Sequence, residues 1–336
     1  MTPKLTEIRI GCLGAARIAP RALVEPAREI AAVTLQSIAA RDHVRACAFA
    51  EKFGFAASAA DYDALVADPS IDLVYVALPT DLHFLWTMRA LAAGKHVLCE
   101  KPFAMNAAQA KAAVSAGAAA DLRVIEALHY RYHPSFQILL DWLQAGRIGP
   151  VRRIKAHFNV PIDPCGGLEF RHHPEHGGGA FMDLGCYPLS WALMIMGEAP
   201  ASVKANALVS PSGVDEALSA ELEFSTGVRA FLSASMAMGQ PASAHLRVEG
   251  ENGVVDFVNP VAPHLGASLS ITSGKSTEAA LIDPMSTFYH QLRRIVGALK
   301  EGSSLPTEGD MIVRQQRALD QIYVAAGLGH LRSGAS

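Results

Sequence analysis

The chain has 336 residues, of which half are apolar and 18% are charged, and its formal net charge at pH 7 is −3. This length exceeds what one hydrophobic core usually supports, so it predicts a globular protein of two domains. The weak net charge argues against nucleic acid and membrane surfaces as partners and favours small neutral or anionic metabolites.

We expect no secretory leader, because no cationic region with a following apolar region precedes the first predicted strand, and no stretch approaches the length of a transmembrane helix. The five cysteines are widely spaced and odd in number, which favours a reducing, cytoplasmic location over a disulfide framework. We interpret Cys12, Cys99 and Cys186 as packing residues. The remaining two are Cys47 and Cys165.

Residues 1–128 alternate short β-branched apolar runs with alanine-rich stretches of helical period. The runs lack the alternation of a half-exposed sheet, which predicts parallel strands covered on both faces. Right-handed crossovers then give an α/β fold with a doubly wound parallel sheet. The predicted strands are Ile8–Leu13, Val33–Ala39, Ala56–Ala59, Leu73–Leu78, His96–Cys99 and Arg123–Leu128. The predicted helices are Ala16–Ile30, His43–Phe53, Tyr62–Ala67, Leu82–Ala93 and Ala107–Ala119.

In residues 129–336 the sequence pattern changes. Strands joined by hairpins follow one early helix and precede two late helices. This pattern predicts a second, α+β domain with a large, mostly antiparallel, open-faced sheet, whose terminal helices cover the sheet or return to the first domain. The predicted strands are Val151–Val160, Ala217–Phe224, Val228–Ser235, Ala244–Glu249, Gly253–Val258 and Ala267–Thr272. The predicted helices are His133–Ala145, Met285–Leu299 and Met311–Leu328.

Small residues follow the first predicted strand, where Gly11, Gly14 and Ala16 mark its turn into a helix. Such residues let the backbone approach a pyrophosphate at a helix N-terminus, where N–H groups and the helix dipole favour an anion. The spacing is looser than G-x-G-x-x-G, so a turn that serves only close packing stays an alternative. Its position at the first strand–helix junction favours dinucleotide binding.

The second predicted strand ends before Arg41 and Asp42, where a dinucleotide fold places the residue that meets the adenine ribose. Arg41 favours a 2′-phosphate and therefore NADP. Asp42 would instead bind the ribose of NAD if the strand ran longer, and Arg41 as a solvated strand-end charge is a further alternative.

Lys101 follows the apolar run Val97–Cys99 and lies between Glu100 and Pro102. The carboxyl edge of an open α/β sheet is where such folds bind ligands, and the following proline restricts the backbone of Lys101. We therefore predict that this lysine lies at the nicotinamide, although a lysine in a surface turn is the ordinary alternative.

Tyr187 lies four residues after Asp183, a spacing that puts both side chains on one face of a helix. A nearby ammonium group would stabilise a phenolate and lower its pKa from about 10 toward the working range, and Lys101 can supply that charge. The alternative is a core tyrosine beside a capping aspartate. The preceding run Gly177–Gly179 favours a ligand site.

On these motifs the chain resembles the glucose-fructose oxidoreductase/inositol dehydrogenase (Gfo/Idh/MocA) family over nearly its whole length. The matching stretches are Ala92–Pro102, Glu126–Pro134 and Gly177–Pro188. Tyr187 resembles the branch that contains dimeric dihydrodiol dehydrogenases, xylose dehydrogenases and glucose-fructose oxidoreductase, whereas inositol-type members carry histidine there. That branch typically uses NADP. The resemblance implies an N-terminal Rossmann domain and homodimers or homotetramers joined through the C-terminal sheet.

The resemblance also implies a set of site residues. Lys101 and Tyr187 would be the catalytic pair, and Asp183 would orient the substrate or the tyrosine. The expected cofactor contacts are Gly11, Gly14, Ala15, Ala16, Arg17, Ile18, Arg41, Leu78, Pro79, Thr80, His83, Glu100 and Lys101. The expected substrate contacts are Lys101, Arg171, Asp183 and Tyr187.

Three histidines, His172, His173 and His176, fall in the Pro- and Gly-rich segment 161–179. Two histidines four residues apart can bind zinc on a helix, but Pro174 between them favours a loop, so we assign no metal site. This loop is expected to border the substrate pocket, with Arg171 and a histidine contacting hydroxyl groups.

These observations predict an NADP-dependent oxidoreductase, with NAD possible, that exchanges hydride with a CH–OH or C=O carbon of a sugar or cyclic diol. Tyr187 would pass the proton and Lys101 would assist it. Two alternatives stay open. One is a dinucleotide-sensing regulator without turnover, and the other is an enzyme that uses tightly bound NAD for internal redox chemistry.

Overall fold

A computed structural model of the chain describes residues 6–164 and 169–332. These residues form two compact units. The first comprises residues 6–104, 108–132 and 286–313, and the second comprises residues 105–107, 133–285 and 314–332. Cys165 lies outside the described residues, and the other four cysteines are free thiols.

The first unit is built on a six-stranded sheet with the order β3-β2-β1-β4-β5-β6. All neighbouring strands pair in parallel. This is the strand order of dinucleotide-binding doubly wound folds, so the predicted fold class is confirmed. The strands are β1 (Ile8–Leu13), β2 (Val33–Ala39), β3 (Ala57–Ser58), β4 (Leu73–Val76), β5 (His96–Cys99) and β6 (Val124–Glu126).

The second unit is built on an eight-stranded sheet with the order β14-β13-β12-β11-β7-β10-β9-β8. Its neighbours pair antiparallel except β7 and β10, which are parallel. The strands are β7 (Val151–Asn159), β8 (Ser202–Val209), β9 (Asp215–Glu223), β10 (Arg229–Ser235), β11 (Ser243–Gly250), β12 (Gly253–Val258), β13 (Ser268–Ser273) and β14 (Ser276–Ala279).

The helices follow the predicted periodicity closely. A π-helical turn, Pro20–Val24, continues into α1, and another, Phe181–Gly185, continues into α7. The α-helices are α1 (Glu25–Arg28), α2 (His43–Phe53), α3 (Tyr62–Ala67), α4 (Thr80–Ala92), α5 (Ala107–Ala119), α6 (Pro134–Gln144), α7 (Cys186–Met196), α8 (Thr287–Glu301) and α9 (Asp310–Ala325). Short 3₁₀ turns occupy His129–Tyr132, Phe170–His172, Pro174–His176, Pro263–Leu265 and Gly329–Arg332.

The parallel sheet is covered on both faces. On one face, Ile10 packs in a core with Leu23 of the first helical turn and Leu292 of α8. On the other, Val76 packs with Trp86 of α4. Because every residue of β4 is buried, the strand reads as a continuous apolar run, and burial of each large apolar side chain contributes roughly 1.5–3 kcal/mol.

The antiparallel sheet is one-sided, as the alternation along its strands requires. Ile154 of β7 and Val248 of β11 are fully buried, and α7 packs against β7 and β10. The opposite face carries charged pairs, such as Lys155 Nζ with Glu249 Oε1 at 3.0 Å. Exposed pairs of this kind contribute little stability, so the buried face holds this sheet in place.

The structure departs from the predictions in two places. The first helix begins at Pro20 rather than Ala16, because residues 14–19 form the turn after β1 and proline is suited to the first helical position. Strands β8 and β14 were not predicted. Both are exposed edge strands: β14 is short and mostly polar, whereas β8 does alternate polar and apolar residues, a strand pattern that the prediction overlooked.

One helical stretch, Pro174–Met196, is long and apolar enough to cross a membrane by length and composition. This corrects the expectation that no stretch has that length. In its most apolar window 83% of the residues are buried inside the fold, which is typical of a core helix.

Candidate active site

The turn after β1 is built around Gly14. Its φ angle is +105°, and a Cβ atom there would lie 2.3 Å from the carbonyl oxygen of Ala77. Gly14 N donates to the carbonyl oxygen of Ala39 at 2.9 Å, which ties the turn to the end of β2. Only glycine therefore allows β1, β2 and the segment after β4 to meet at this edge of the sheet.

The residues of this turn fit a dinucleotide. Ala15 is buried, Ala16 is half-buried, and Arg17 is exposed, so small side chains leave the backbone open to a phosphate before Pro20 begins the helical segment. Arg45 of α2 donates from Nη2 to the carbonyl oxygen of Ala15 at 2.7 Å, which places a guanidinium beside the turn.

Arg41 and Asp42 have separate environments at the end of β2. The strand ends at Ala39, and the Asp42 carboxylate accepts a hydrogen bond from Val44 N at 2.9 Å as the N-cap of α2. Arg41 is exposed. Burial raises the pKa of the Tyr62 phenol, and the nearby Arg41 charge opposes that rise. One oxygen of Asp42 is thus engaged in capping, and Arg41 beside it is an exposed cation.

Lys101 lies in a loop of residues 100–103, here named the Lys101 loop, that follows β5 at the carboxyl edge of the sheet. Tyr75 of β4 donates from its hydroxyl to Glu100 Oε1 at 2.5 Å. Glu126 of β6 accepts at Oε1 from Phe103 N at 3.0 Å. Side chains from the strands on both sides of β5 therefore hold the loop on either side of the lysine.

His83 of α4 contacts the Lys101 loop at Pro102, between the contacts at Glu100 and Phe103. Its ring nitrogens lie 3.0 Å from the carbonyl oxygen of Pro102 and 2.8 Å from that of Leu78, and the side chain is 1% exposed. Burial lowers the pKa of His83, and the two carbonyl oxygens oppose that shift. A neutral ring donates to only one of the two oxygens, whereas a protonated ring donates to both. His83 therefore connects the segments after β4 and β5.

Thr80 is buried, whereas Leu78 and Pro79 are half-buried. These three residues lie at the start of α4, on the same edge of the sheet as Gly14 and the Lys101 loop. Gly11 does not lie at this edge: it is inside β1, where a Cβ atom would come within 2.8 Å of Ile71 and Leu65, so its glycine is explained by packing.

In the second unit, Asp183 is buried in an ion-pair network. Its Oδ2 accepts from Arg171 Nε at 2.6 Å, and Arg171 also pairs with Glu169. Burial by itself would lower the pKa of Arg171, but the two carboxylates outweigh that effect and raise it above the ordinary value. Arg171 therefore stays charged and holds Asp183 as a carboxylate.

The first turn of the helix that carries Asp183 and Tyr187 is anchored by Asp215 of β9. Phe181 N donates to Asp215 Oδ2 and Tyr323 Oη donates to Asp215 Oδ1, each at 2.7 Å. Met182 N donates to Tyr323 Oη at 3.1 Å. Two N–H groups at a helix start, which have no partner within the helix, are thereby satisfied.

Gly179 makes this anchor possible. Its φ angle is +125°, and a Cβ atom there would lie 2.2 Å from Asp215 Oδ1. Contacts within the fold thus explain this glycine, which the sequence pattern had attributed to a neighbouring ligand.

Tyr187 occupies the first turn of α7 and is 4% exposed. Its ring meets the ring of Phe158 of β7 edge-on, with centroids 5.5 Å apart and an interplanar angle of 90°. This contact fixes the ring plane and thereby the direction of the hydroxyl group.

The three histidines of the preceding segment have different contacts. His172 Nε2 lies 3.1 Å from the carbonyl oxygen of Ile162, whereas His173 Nδ1 lies 3.3 Å from a Glu175 oxygen. The rings of His173 and His176 are 6.0 Å apart. His172 thus ties the segment to its own fold.

Two family descriptions match most of the chain. "Oxidoreductase family, NAD-binding Rossmann fold" matches residues 8–128, and "GFO/IDH/MocA C-terminal domain" matches residues 136–256. The chain belongs to the GFO/IDH/MocA oxidoreductase family. It is therefore an oxidoreductase whose first unit has the NAD-binding Rossmann fold.

Relatives within the GFO/IDH/MocA family act on sugars and diols. The chain is 30% identical to D-xylose 1-dehydrogenase (NADP(+)) 2 of Haloferax volcanii, over 95% of this chain and 97% of the relative. It is 35% identical to trans-1,2-dihydrobenzene-1,2-diol dehydrogenase of Xenopus laevis over 66% of each chain.

A similar solved structure is a 3-ketoreductase from Actinomadura kijaniata in complex with NADP and TDP-benzene. It has a TM-score of 0.87 and 27% identity, over 95% of this chain and 98% of the reductase. Variants of that reductase with one tyrosine changed to phenylalanine or one lysine changed to alanine have also been crystallised with both ligands.

Four buried polar residues of this GFO/IDH/MocA member were not predicted as parts of the site: Tyr75, Glu126, Asp215 and Tyr323. Tyr75 and Glu126 hold the Lys101 loop, and the other two hold the helix that carries Tyr187. One signal was available in the sequence. A carboxylate in an apolar strand, such as Glu126 after Val124-Ile125, needs a buried partner.

Gly14→Ala should destabilise the chain by about 2–4 kcal/mol, because it adds a clash with a backbone oxygen to a strained φ angle. It should also weaken dinucleotide binding at least tenfold. Gly54→Ala is the control, since Gly54 has a φ of +80° but open space around the added Cβ, and it should cost about 1 kcal/mol. Urea unfolding measures the loss of stability in the two variants, and equal losses of stability would contradict the close approach at Gly14.

Asp215→Asn should change the pH dependence of stability. Burial raises the pKa of Asp215 from 3.8 to about 6, so its contribution to folding is fully present below pH 3.8 and is lost as the pH rises through about 6. As the pH rises across this window, the difference in unfolding free energy between Asp215→Asn and wild type should therefore shift by about 2–3 kcal/mol in favour of the variant. Above the window the difference should stay constant.

The measurement is urea unfolding at several pH values between 3.5 and 8, and Asp141→Asn, which removes an exposed carboxylate of α6, is the control. A difference between Asp215→Asn and wild type that does not vary with pH would contradict the assigned protonation of Asp215.

Proposed function

We propose that this chain is an NADP-dependent oxidoreductase that moves hydride between the nicotinamide and a CH–OH or C=O carbon of a sugar or cyclic diol. The observation that carries the proposal is the Lys101 loop. It lies at the carboxyl edge of a doubly wound sheet and is held by buried side chains of β4, α4 and β6. A surface turn needs no such support.

Bound NADP supplies or accepts the hydride at its nicotinamide. The turn at Gly14 and Ala15 would hold the pyrophosphate with backbone N–H groups, and Arg41 would pair with the 2′-phosphate. The NADP complex of the structural relative and the NADP-dependent name of the xylose dehydrogenase support this choice over NAD.

Lys101 and Tyr187 would handle the proton. Tyr187 donates or accepts the proton of the substrate hydroxyl or carbonyl, and the ammonium of Lys101 assists by stabilising a phenolate. Its edge-on contact with Phe158 leaves the phenol a single ring orientation. Asp183, held as a carboxylate by Arg171, would accept a hydrogen bond from a substrate hydroxyl.

The substrate class is proposed from the relatives and from the polar groups available. A hydroxyl-rich substrate offers donors to Asp183 and Glu169, and both carboxylates are buried beside Arg171. Arg171 itself is engaged by these carboxylates, so we propose that it acts on substrate chiefly through them.

A substrate panel tests the activity. Purified protein with NADP or NADPH is screened against sugars, cyclic diols and dicarbonyls while nicotinamide absorbance is followed. We expect turnover with at least one polyhydroxylated compound, and binding of NADP without turnover on the whole panel would favour the regulator alternative.

Lys101→Met and Tyr187→Phe should each reduce kcat by about 10²–10⁴-fold, because each removes a group that moves or stabilises a proton. NADP affinity, measured by calorimetry, should change little. Lys111→Met, at an exposed position of α5, and Tyr289→Phe of α8 are the controls and should retain activity. Normal turnover in either site variant would mean that another group transfers the proton.

Arg41→Ala should weaken NADP binding about 10–100-fold and NAD binding less than about twofold, since a guanidinium–phosphate pair is lost only with NADP. The Kd values of both dinucleotides are measured by calorimetry. Arg28→Ala, an exposed arginine of α1, controls for the loss of a surface cation. Equal weakening of both dinucleotides would refute recognition of the 2′-phosphate at Arg41.

A further inference from the structure

We propose that Glu126 is a positioning residue for Lys101: its carboxyl group fixes the backbone behind the lysine, and its negative charge, once the group is ionised, holds Lys101 in the ammonium form. This inference rests on the proposed role of Lys101. It adds that the buried acid Glu126 sets the pH range over which Lys101 keeps its ammonium form.

One oxygen of the Glu126 carboxyl group is held by a backbone N–H of the Lys101 loop. The residue is 0% exposed and ends β6, beside Cys99 of β5. Glu126 N donates to the carbonyl oxygen of Thr307 at 2.9 Å, and Oε1 accepts from Phe103 N at 3.0 Å. The side chain therefore reaches from β6 to the residue that closes the Lys101 loop.

Its second oxygen has a different environment. Glu126 Oε2 is buried and has no hydrogen-bond partner among the described residues. A buried ionised oxygen without a donor costs far more free energy than a buried neutral carboxyl oxygen without a partner. The geometry thus favours the neutral acid at pH 7.

Burial has the largest effect on the pKa of Glu126, and the neighbouring charges oppose one another. Burial raises the pKa of Glu126 to about 8, the Phe103 N–H opposes the rise, the charge of Glu100 adds to it, and the charge of Lys101 opposes it. The Cys99 thiol also lies within the reach of this charge. The group therefore ionises just above neutral pH.

Two further ionisable groups of neighbouring elements are already paired. Tyr75 donates to Glu100 at 2.5 Å, and Glu308, next to Thr307, pairs with Arg123 at 2.9 Å. The negative charge that appears on Glu126 therefore acts mainly on Lys101 and Glu100. Because the coupling of two titrating groups is reciprocal, a Glu126 that Lys101 helps to ionise must itself help Lys101 to keep its proton.

A purely structural acceptor would not need to be an acid. Glutamine at this position keeps an oxygen for Phe103 N and nearly the same shape but does not titrate. Glu126→Gln thus separates the support of the backbone from the charge.

The test follows the amine of Lys101 directly by NMR of protein whose lysines carry ¹³C-methyl groups, with the Lys101 signal assigned by its absence from Lys101→Met. In Glu126→Gln this signal should titrate about one pH unit lower than in wild type, and the alkaline limb of kcat/KM should move down with it. Glu308→Gln, which removes a nearby carboxylate already paired with Arg123, should leave both unchanged. An unchanged Lys101 titration in Glu126→Gln, or an equal shift in Glu308→Gln, would overturn the proposal.

If Glu126→Gln does not fold, the same coupling is measured through the titration of Glu126 in a Lys101 variant. Lys101→Met should raise the pH at which the infrared band of the protonated Glu126 carboxyl group disappears, and an unchanged midpoint would overturn the inference. The two proposals fail separately: normal turnover in Lys101→Met removes the catalytic role, whereas loss of turnover there with no effect of Glu126→Gln removes only the role of Glu126.

Discussion

Polar groups buried at the carboxyl edge of the parallel sheet must find partners inside the protein, and this requirement determines the shape of the Lys101 loop. Glu100, Pro102 and Phe103 are each bonded to a buried side chain from a different element, with Tyr75, His83 and Glu126 as the partners. Each such group left without a partner would cost about 1–3 kcal/mol. The loop has few alternative conformations for that reason, and a reactive side chain on it is held ready before any ligand binds.

The second unit uses the same principle on a helix. The N–H groups of Phe181 and Met182 are bonded to Asp215 and Tyr323, which come from a strand and a helix far along the chain. Tyr187 follows within two turns, so its position depends on contacts that it does not make itself. Lys101 is half-buried and Tyr187 is buried, and the side chains that support them are still more deeply buried, at 1% exposure or less.

The fold was largely predictable because its elements alternate in a way that only a few topologies satisfy. All six strands of the parallel sheet lie within two residues of their predicted bounds, and the weak β3 was recognised although it is only two residues long. Strand β14 was missed because it is four residues long and mostly polar, and β8 was missed although its sequence alternates polar and apolar residues. The site residues that depend on local motifs, such as Gly14 and Lys101, could be proposed from the sequence. The supports could not, because Asp215 and Tyr323 are 108 residues apart and only the folded chain makes them neighbours.

Helix α8 lies late in the chain yet supplies Leu292 and Ile295 to the core beneath β1. The dinucleotide-binding unit is therefore complete only when residues 286–313 have been synthesised. During translation the growing chain would carry an uncovered apolar sheet face while the whole second sheet emerges from the ribosome. A fragment cut after the sixth strand would carry the same uncovered face and would tend to aggregate.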